Sequence, residues 1–555
     1  MCGIYGYIGN KNAYDMVVQG LSLLQYRGYD SCGIAYFNDG FQINKAVGTL
    51  NNLDKCDISP TIAFGHTRWA TNGVVNKANA HPHVSYNGEY TIVHNGIIKN
   101  ADKIKQKLIN NGITFYSDTD TEVIANYLTT IDIKKNIENI FNDLEGTFSL
   151  IIGNSLGDIT LIKQFSPLHL VKTDSEIYIS SDISSLPSGE LYTLQDKDII
   201  RIEKGNITSI NPIKFKPYVS KKEQLNLGEH NHYMIKEIYE TPEAIKNTYY
   251  NIKDINIKEI FRNYSKFTLL GCGTAYNSCL IGEYLFENNL DLDVNTFLAS
   301  NYNIKKQINE NHLHIIVSQS GETADCIKVA ESIKDKNGKI LAITNEPTST
   351  IANIADYVIL SKAKKELAVA STKTYCCQVF IFAFICQKLL NDNYGLDIDN
   401  LVADLSNFMN NINIEPLANK MKDLKHLIMI GKDIDYLTLM EASLKIREID
   451  YIYTLPMFSS ELKHGTLSLI EKGSLVLTLN SSQNKDILKS TINEICSRHG
   501  EVVEISNYYN EISFENLYKP IFTVIPFQLL SYKIAVLNGR NPDMPRNLAK
   551  SVTVE

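Results

Sequence analysis

Cys2 follows the initiator Met, and trimming of that Met before a small neighbour would leave thiol and free α-amine on a single residue. With an unperturbed pKa of about 7.7 to 8.0, the amine can take the thiol proton near neutrality and generate an attacking thiolate without a histidine base. A second set of chemistry-bearing residues lies far along the chain. Ser318-Gln319-Ser320-Gly321-Glu322-Thr323 follows an apolar run and opens an apparent helix. Hydroxyls and N–H groups converging on a helix N-terminus favour an anion such as a phosphate. Gly271-Cys272-Gly273-Thr274 and Val369-Ala370-Ser371-Thr372-Lys373 are further turn segments of the same kind.

The elements that must position these groups differ between the two parts of the chain. Up to about residue 215, short β-rich runs alternate with Gly, Asn and Asp turns, as in Tyr90 to His94 before Asn95-Gly96 and Thr147 to Ile152 before Gly153-Asn154. Helical periodicity is plainest over Ala13 to Leu24 and Thr121 to Leu128, so this part is a mixed α+β domain. A polar stretch with Pro212, Pro217 and Lys221-Lys222-Glu223 reads as a surface linker. Beyond it, strand, Gly-containing turn and helix repeat: Phe267 to Leu270, His314 to Val317, Ile340 to Thr344 and Tyr357 to Leu360 are the strands. That alternation implies a doubly wound parallel sheet. A similar order returns with Leu427 to Ile430 before Gly431-Lys432, a helix from about Tyr436 to Tyr451, and Leu475 to Leu479 before Asn480-Ser481-Ser482, which reads as an internal duplication. The expected divisions are 1–215, a linker at 216–238, 239–400, 401–535 and a tail at 536–555.

Composition narrows the function class. The 555 residues exceed one hydrophobic core, and 44% hydrophobic with 21% charged residues is a globular balance with no stretch expected to span a membrane. A net charge of −8 argues against general affinity for nucleic acid or anionic lipid, while leaving room for a local phosphate pocket. The start lacks a basic segment followed by an apolar one, so no secretory signal is expected. The 10 cysteines show no CxxC spacing and no His-rich neighbourhood; a reducing cytoplasm is expected, and no metal or cofactor.

Cys2-Gly3-Ile4, Tyr26-Arg27-Gly28-Tyr29-Asp30-Ser31, His66-Thr67-Arg68-Trp69-Ala70-Thr71, His94-Asn95-Gly96 and Ser117-Asp118-Thr119-Asp120-Thr121-Glu122 together resemble the glutaminase domain of the N-terminal-nucleophile amidotransferases. The resemblance implies that Asn95 and the Gly96 N–H form an oxyanion hole, and that Arg27, Arg68, Thr71 and Asp120 bind glutamine. A zwitterionic substrate needs a cation and an anion at fixed separation, and amide attack builds charge on oxygen that preorganised donors stabilise. Trp69, the single tryptophan, corresponds to a residue that gates ammonia passage in that family. Asn72 departs from the family, which often carries His there.

The three turn segments of the later part resemble the sugar isomerase fold. Combined with the first part, the whole chain is similar to the glutamine–fructose-6-phosphate aminotransferase (isomerising) family, the glucosamine-6-phosphate synthases. Lys236 to Glu240, Glu441 to Lys445, Ser460 to Gly465 and the tail Pro545 to Glu555 carry the likeness onward. It implies an α+β N-terminal-nucleophile glutaminase domain followed by two α/β doubly wound sugar isomerase domains. The implied reaction converts fructose 6-phosphate and glutamine into glucosamine 6-phosphate and glutamate, a supply step for UDP-N-acetylglucosamine, with ammonia passed internally. Lys550 would form a Schiff base with the ketose, His464 would assist ring opening, Glu448 would move a proton between C1 and C2, and Lys445 would stabilise the intermediate. Cys272, Gly273, Thr274, Ser318, Gln319, Ser320, Thr323, Val369, Ala370 and Ser371 would hold the sugar phosphate. Ala275 departs from relatives that often have Ser, and Arg447 from relatives that often have Lys. The histidine matching His464 comes from a neighbouring subunit in the family, so a homodimer is expected. An apolar conduit from Cys2, gated by Trp69, would keep ammonia unprotonated. The diphosphoribose motif of purine-synthesis amidotransferases and the nucleotide loop of asparagine synthetases are not found, and retention of Cys2, Glu448 and Lys550 argues against a sugar-phosphate sensor that has lost catalysis.

Overall fold

Residues 2–70, 73–220, 227–303, 310–391, 395–481, 485–510 and 517–550 are described by the computed structural model. Thr71, Asn72 and the tail residues after Lys550 lie outside them. The chain forms two compact units, Met1–Gln224 and Leu225–Thr553.

In the first unit, alternation along strand Gly3–Ile8 sends Tyr5 and Tyr7 to one face and Ile4 to the other. That strand lies between Ile177–Ser180 and Ile62–Arg68 in an eight-stranded antiparallel sheet. A six-stranded sheet, in which Tyr90–Ile98 pairs with Gly146–Asn154, supplies Val93, Ile151 and Leu161 to a core shared with Ile4, Phe64 and Ile179. Helix Ala13–Ser22 packs Val17 and Leu21 against Tyr5 and Tyr7, while helix Asp120–Leu128 packs Val123 and Ile124 against Ile92 and Leu150. The result is two sheets face to face with helices outside.

Two expectations change here. Asn95-Gly96 is not a turn: the strand continues to Ile98, pairing Asn95 with Ser149 and Gly96 with Phe148. Gly96 has φ +138, and a Cβ there would stand 1.8 Å from the Thr147 carbonyl oxygen, so glycine serves close backbone approach inside the sheet. The first unit also runs past residue 215, because strand Lys216–Tyr218 pairs with Gly189–Thr193. Helix Tyr233–Tyr239 buries Met234 and Ile238 in the second unit's core, so the connection is shorter than 216–238.

The second unit holds two parallel sheets of like topology. In the five-stranded sheet, Lys266–Gly271 lies between Asp293–Leu298 and His312–Val317, followed by Lys339–Thr344 and Tyr357–Leu360. In the four-stranded sheet, His426–Gly431 lies between Tyr453–Phe458 and Leu475–Thr478, followed by Glu501–Glu504. The helix expected from 436 to 451 is α-helical over Ile434–Lys445 and then widens to a π-type turn, Ile446–Asp450, which carries Glu448. Contrary to the composition reading, helices Lys373–Leu390 and Lys519–Leu537 are long and apolar enough to cross a membrane. Both are mostly buried in the second unit's core, and a helix buried on all sides is apolar on all sides.

Candidate active sites

In the first unit, Cys2, Arg68, Trp69, Gly96 and Asp120 line one small cavity. The Trp69 N–H lies 3.4 Å from the Cys2 sulfur, which fixes the sulfur beside the end of strand Ile62–Arg68. Burial pushes the Cys2 thiol up from its ordinary value, and the Trp69 N–H and the Arg68 charge pull the other way. Asn95 donates from Nδ2 to the Cys2 carbonyl at 3.1 Å, which holds its amide beside Cys2, and Gly96 lines the same cavity. Asp120 accepts from the Ile98 N–H at 2.9 Å, tying helix Asp120–Leu128 to the same strand. Arg68 is buried, with the Asp30 and Asp120 carboxylates and the Cys2 thiol as its neighbouring groups. Trp69 is half-buried. Arg27 donates to the Ser181 carbonyl at 3.1 Å and pairs with Asp182 at 3.4 Å. Four buried histidines, His66, His81, His83 and His94, back this cavity, and desolvation lowers all four, which favours the neutral imidazole.

The first sheet of the second unit builds a polar cradle. Ser318 and Thr323 hydroxyls lie 2.9 Å apart, and the Gly321 N–H donates to Ser318 Oγ at 3.1 Å. Thr323 is the residue before helix Ala324–Lys334, whose N-terminus therefore follows directly on this turn, with Gln319 and Ser320 half-buried. Cys272 sits 4.0 Å, sulfur to sulfur, from Cys326, and Gly273 precedes helix Thr274–Leu290 with φ +55.

The second sheet's helix reaches into this site. Lys445, fully buried, pairs with Glu448 at 2.8 Å and Glu441 at 3.3 Å, and donates to Thr274 Oγ1 at 3.0 Å. Glu441 accepts from Thr274 at 3.1 Å and Asn277 at 2.7 Å. Burial alone would lower Lys445, but the two carboxylates outweigh it and hold the ammonium above its ordinary value. Lys550 pairs with the buried Glu366 at 2.6 Å, and Glu366 also accepts from Ser371 Oγ at 2.7 Å and the Thr372 N–H at 2.9 Å. Burial favours a neutral Glu366, yet Lys550 and these donors win and bring it down to about 2. Next to it, burial and the Glu366 charge push Glu237 up to about 8. The Val369 N–H donates to the Asp543 carbonyl at 3.0 Å, which ties the Val369-Ala370-Ser371 segment to the chain leading into Lys550.

Most of the expected residues thus gather in two groups, one in each unit. His464 stands apart: it is exposed on the turn Glu461–His464, and among the described residues no hydrogen bond or ion pair joins it to Glu448 or Lys550. Glu366 was not anticipated from the sequence, and Glu237 lies in the Lys236 to Glu240 segment without having been given a role. Glu441 sits in an anticipated segment, and its i, i+4 spacing to Lys445 is the signal that could have marked it.

A cysteine and an asparagine amide side by side at one cavity of an antiparallel sandwich, followed by duplicated parallel sheets with a Ser/Thr-rich turn before a helix, is the arrangement of a glutamine amidotransferase domain joined to sugar isomerase domains. The glutamine amidotransferase domain family matches residues 66–188, and the SIS domain family residues 260–386. Over the full length of both chains, this chain is 36% identical to the glutamine–fructose-6-phosphate aminotransferase (isomerising) of Caldanaerobacter subterraneus and 34% identical to that of Pyrococcus horikoshii. The second unit resembles the solved C-terminal domain of glucosamine-fructose-6-phosphate aminotransferase from Francisella tularensis, with TM-score 0.51 and 28% identity over 57% of this chain and 99% of that one. The chain belongs to the glutamine–fructose-6-phosphate aminotransferase (isomerising) family.

Proposed function

We propose that the chain makes glucosamine 6-phosphate and glutamate from fructose 6-phosphate and glutamine. The observation that carries the reading is the pairing of Cys2 with the Asn95 donor in one unit and of Lys550 with Glu366 in the other, whose first sheet also carries the Ser318–Thr323 turn. Cys2, with its α-amine freed by loss of Met1, attacks the glutamine amide; Asn95 and Gly96 stabilise the oxyanion, and Arg68 and Asp120 bind the α-carboxylate and α-ammonium. Ammonia leaves, and water then releases glutamate from the thioester. The Ser318–Thr323 turn holds the sugar phosphate, whose remote binding energy orients C2.

Lys550 condenses with the C2 ketone with loss of water, ammonia takes the lysine's place, and Glu448 moves the proton between C1 and C2. Lys445, a buried ammonium against Glu448, steadies the charge that passes through that carboxylate. Ammonia in bulk water near neutrality is mostly protonated and no nucleophile, so coupling requires transfer shielded from solvent. The exposure of His464 favours its use by a second copy in a homodimer. Free thiols throughout the described residues suit a reducing, cytoplasmic setting.

An end-point assay with both substrates tests this reading, scoring glutamate and glucosamine 6-phosphate separately. Equal amounts are expected. Glutamate alone would reduce the chain to a glutaminase with another acceptor.

A further inference from the structure

Two free thiols meet beside the polar cradle of the second unit. Cys272 stands on the turn between strand Lys266–Gly271 and helix Thr274–Leu290, and Cys326 in the first turn of helix Ala324–Lys334. Their sulfurs are 4.0 Å apart although 54 residues separate them in the chain. Both pack on one apolar cluster with Leu270, Ala299 and Ile316, whereas Cys279, further along helix Thr274–Leu290, is buried in another. Cys272 is only half-buried, while Cys326 is fully enclosed.

The two sulfurs differ in charge preference. Hydrogen bonding from the Cys326 S–H holds Cys272 below an ordinary thiol, against burial and with help from the Ala299 and Ser300 N–H groups. The same contact, together with burial, pushes Cys326 well up. Cys272 is therefore the sulfur that reaches the reactive thiolate form, and Cys326 the one that keeps its proton. A disulfide requires the sulfurs at about 2.05 Å. The turn has room for that movement, because Gly273 adopts φ +55 and nothing lies within 4 Å of a notional Cβ there.

We propose that Cys272 and Cys326 form a modification site at which hydrogen peroxide closes a reversible disulfide beside the cradle and shuts out the sugar phosphate. The Cys272 thiolate attacks the peroxide: an S–O bond forms, the O–O bond breaks, and the departing hydroxide takes a proton to become water. The Cys326 sulfur then attacks the sulfenic acid, so that the S–S bond forms, the S–O bond breaks and the hydroxyl leaves as water with the Cys326 proton. Two thiols give up two electrons and the peroxide is reduced to two waters. Cys272 lies two residues before Thr274, which contacts Glu441 and Lys445, and Cys326 three residues after Thr323, which contacts Ser318. The bridge therefore draws those two sides of the site toward each other. In a reducing cytoplasm such a bond is transient and regulatory rather than structural. The blocking effect rests on the cradle being the sugar-phosphate site; the bridge does not.

The test treats the reduced full chain with hydrogen peroxide, maps its peptides without reductant, and titrates it with fructose 6-phosphate by calorimetry before and after. One cross-linked peptide pair holding Cys272 and Cys326 is expected, and it should vanish with dithiothreitol. The oxidised chain should bind fructose 6-phosphate roughly tenfold or more weakly, with affinity restored by the reductant. Reading binding rather than turnover keeps oxidation of Cys2 out of the result. Cys326→Ser should bind the sugar phosphate as wild type does before oxidation, form no cross-link, and leave a Cys272 sulfenic acid that dimedone traps. Oxidised wild type without the Cys272–Cys326 peptide pair would overturn the proposal, as would a cross-linked chain that binds as tightly as the reduced one. If the reduced chain bound no fructose 6-phosphate, the functional reading would fall, while the peptide map would still decide the bridge.

Discussion

The Lys550 ammonium lies 2.6 Å from the Glu366 carboxylate, with the two side chains 6% and 0% exposed. Breaking one side of such a pair strands a buried charge, which costs about 3–5 kcal/mol, whereas removing both is far cheaper. Glu366→Gln and Lys550→Met should each lower the second unit's stability by an amount in that range. The double variant should lose clearly less than the sum in urea melts. Additive losses would mean that the two groups do not share their burial cost.

Glu237 makes the pH dependence of stability run in an uncommon direction. Its folded pKa of about 8 lies above the ordinary carboxyl value, so between about pH 4.5 and 8 the folded chain keeps a proton that the unfolded chain has released. This group's contribution to stability therefore falls as pH rises through that window. Glu366, held down to about 2, acts oppositely: its contribution is present above the ordinary carboxyl range and is lost as pH falls toward 2. Urea melts at pH 5.5, 7 and 8.5 should show wild type losing stability relative to Glu237→Gln as pH increases. A constant difference would mean that Glu237 titrates normally.

At the other site, removal of a single oxyanion donor should cost roughly 10² to 10³ in kcat for glutamine hydrolysis. Asn95→Ala is expected to show that loss with little change in KM. Synthesis supported by added ammonia should survive, because the Asn95 side chain contacts Cys2. Gly96→Ala should be worse, since its Cβ would collide with the Thr147 carbonyl and part the Tyr90–Ile98 strand from its neighbour. Equal loss of the ammonia-driven reaction in Asn95→Ala would refute the assignment.

The parts legible in the sequence were those written in contiguous residues. Ser318 to Thr323 announced its cradle because the strand end, hydroxyls and helix start are adjacent in the chain. The Asn95-Gly96 pair was misread as a turn because glycine's tolerance of positive φ serves both a turn and, as here, close backbone approach inside a sheet. Glu366 was silent because its meaning depends on a lysine 184 residues away; Glu441 carried a local signal in its spacing to Lys445, but its contact with Thr274, 167 residues off, did not show. Burial of Glu237 against two backbone N–H groups, Leu367 and Ala368, is likewise a property of packing between distant segments.

Asp433 and Gly273 are counterparts in the two parallel sheets, each the residue before the helix that follows strand His426–Gly431 or Lys266–Gly271. The Asp433 φ of 52 and ψ of −129 lie where a Cβ is strained, a cost of order 1–3 kcal/mol, while Gly273 adopts nearly the same angles without one. The Asp433 charge also pushes the buried Asp435 carboxyl upward. Asp433→Gly removes the strain and the like charge together, offset by about 0.5–1 kcal/mol from the greater freedom of glycine in the unfolded chain. The variant should therefore be about 1 kcal/mol more stable in urea, with Asp435 titrating lower by NMR. Destabilisation would show that the Asp433 side chain makes a favourable interaction larger than its backbone strain.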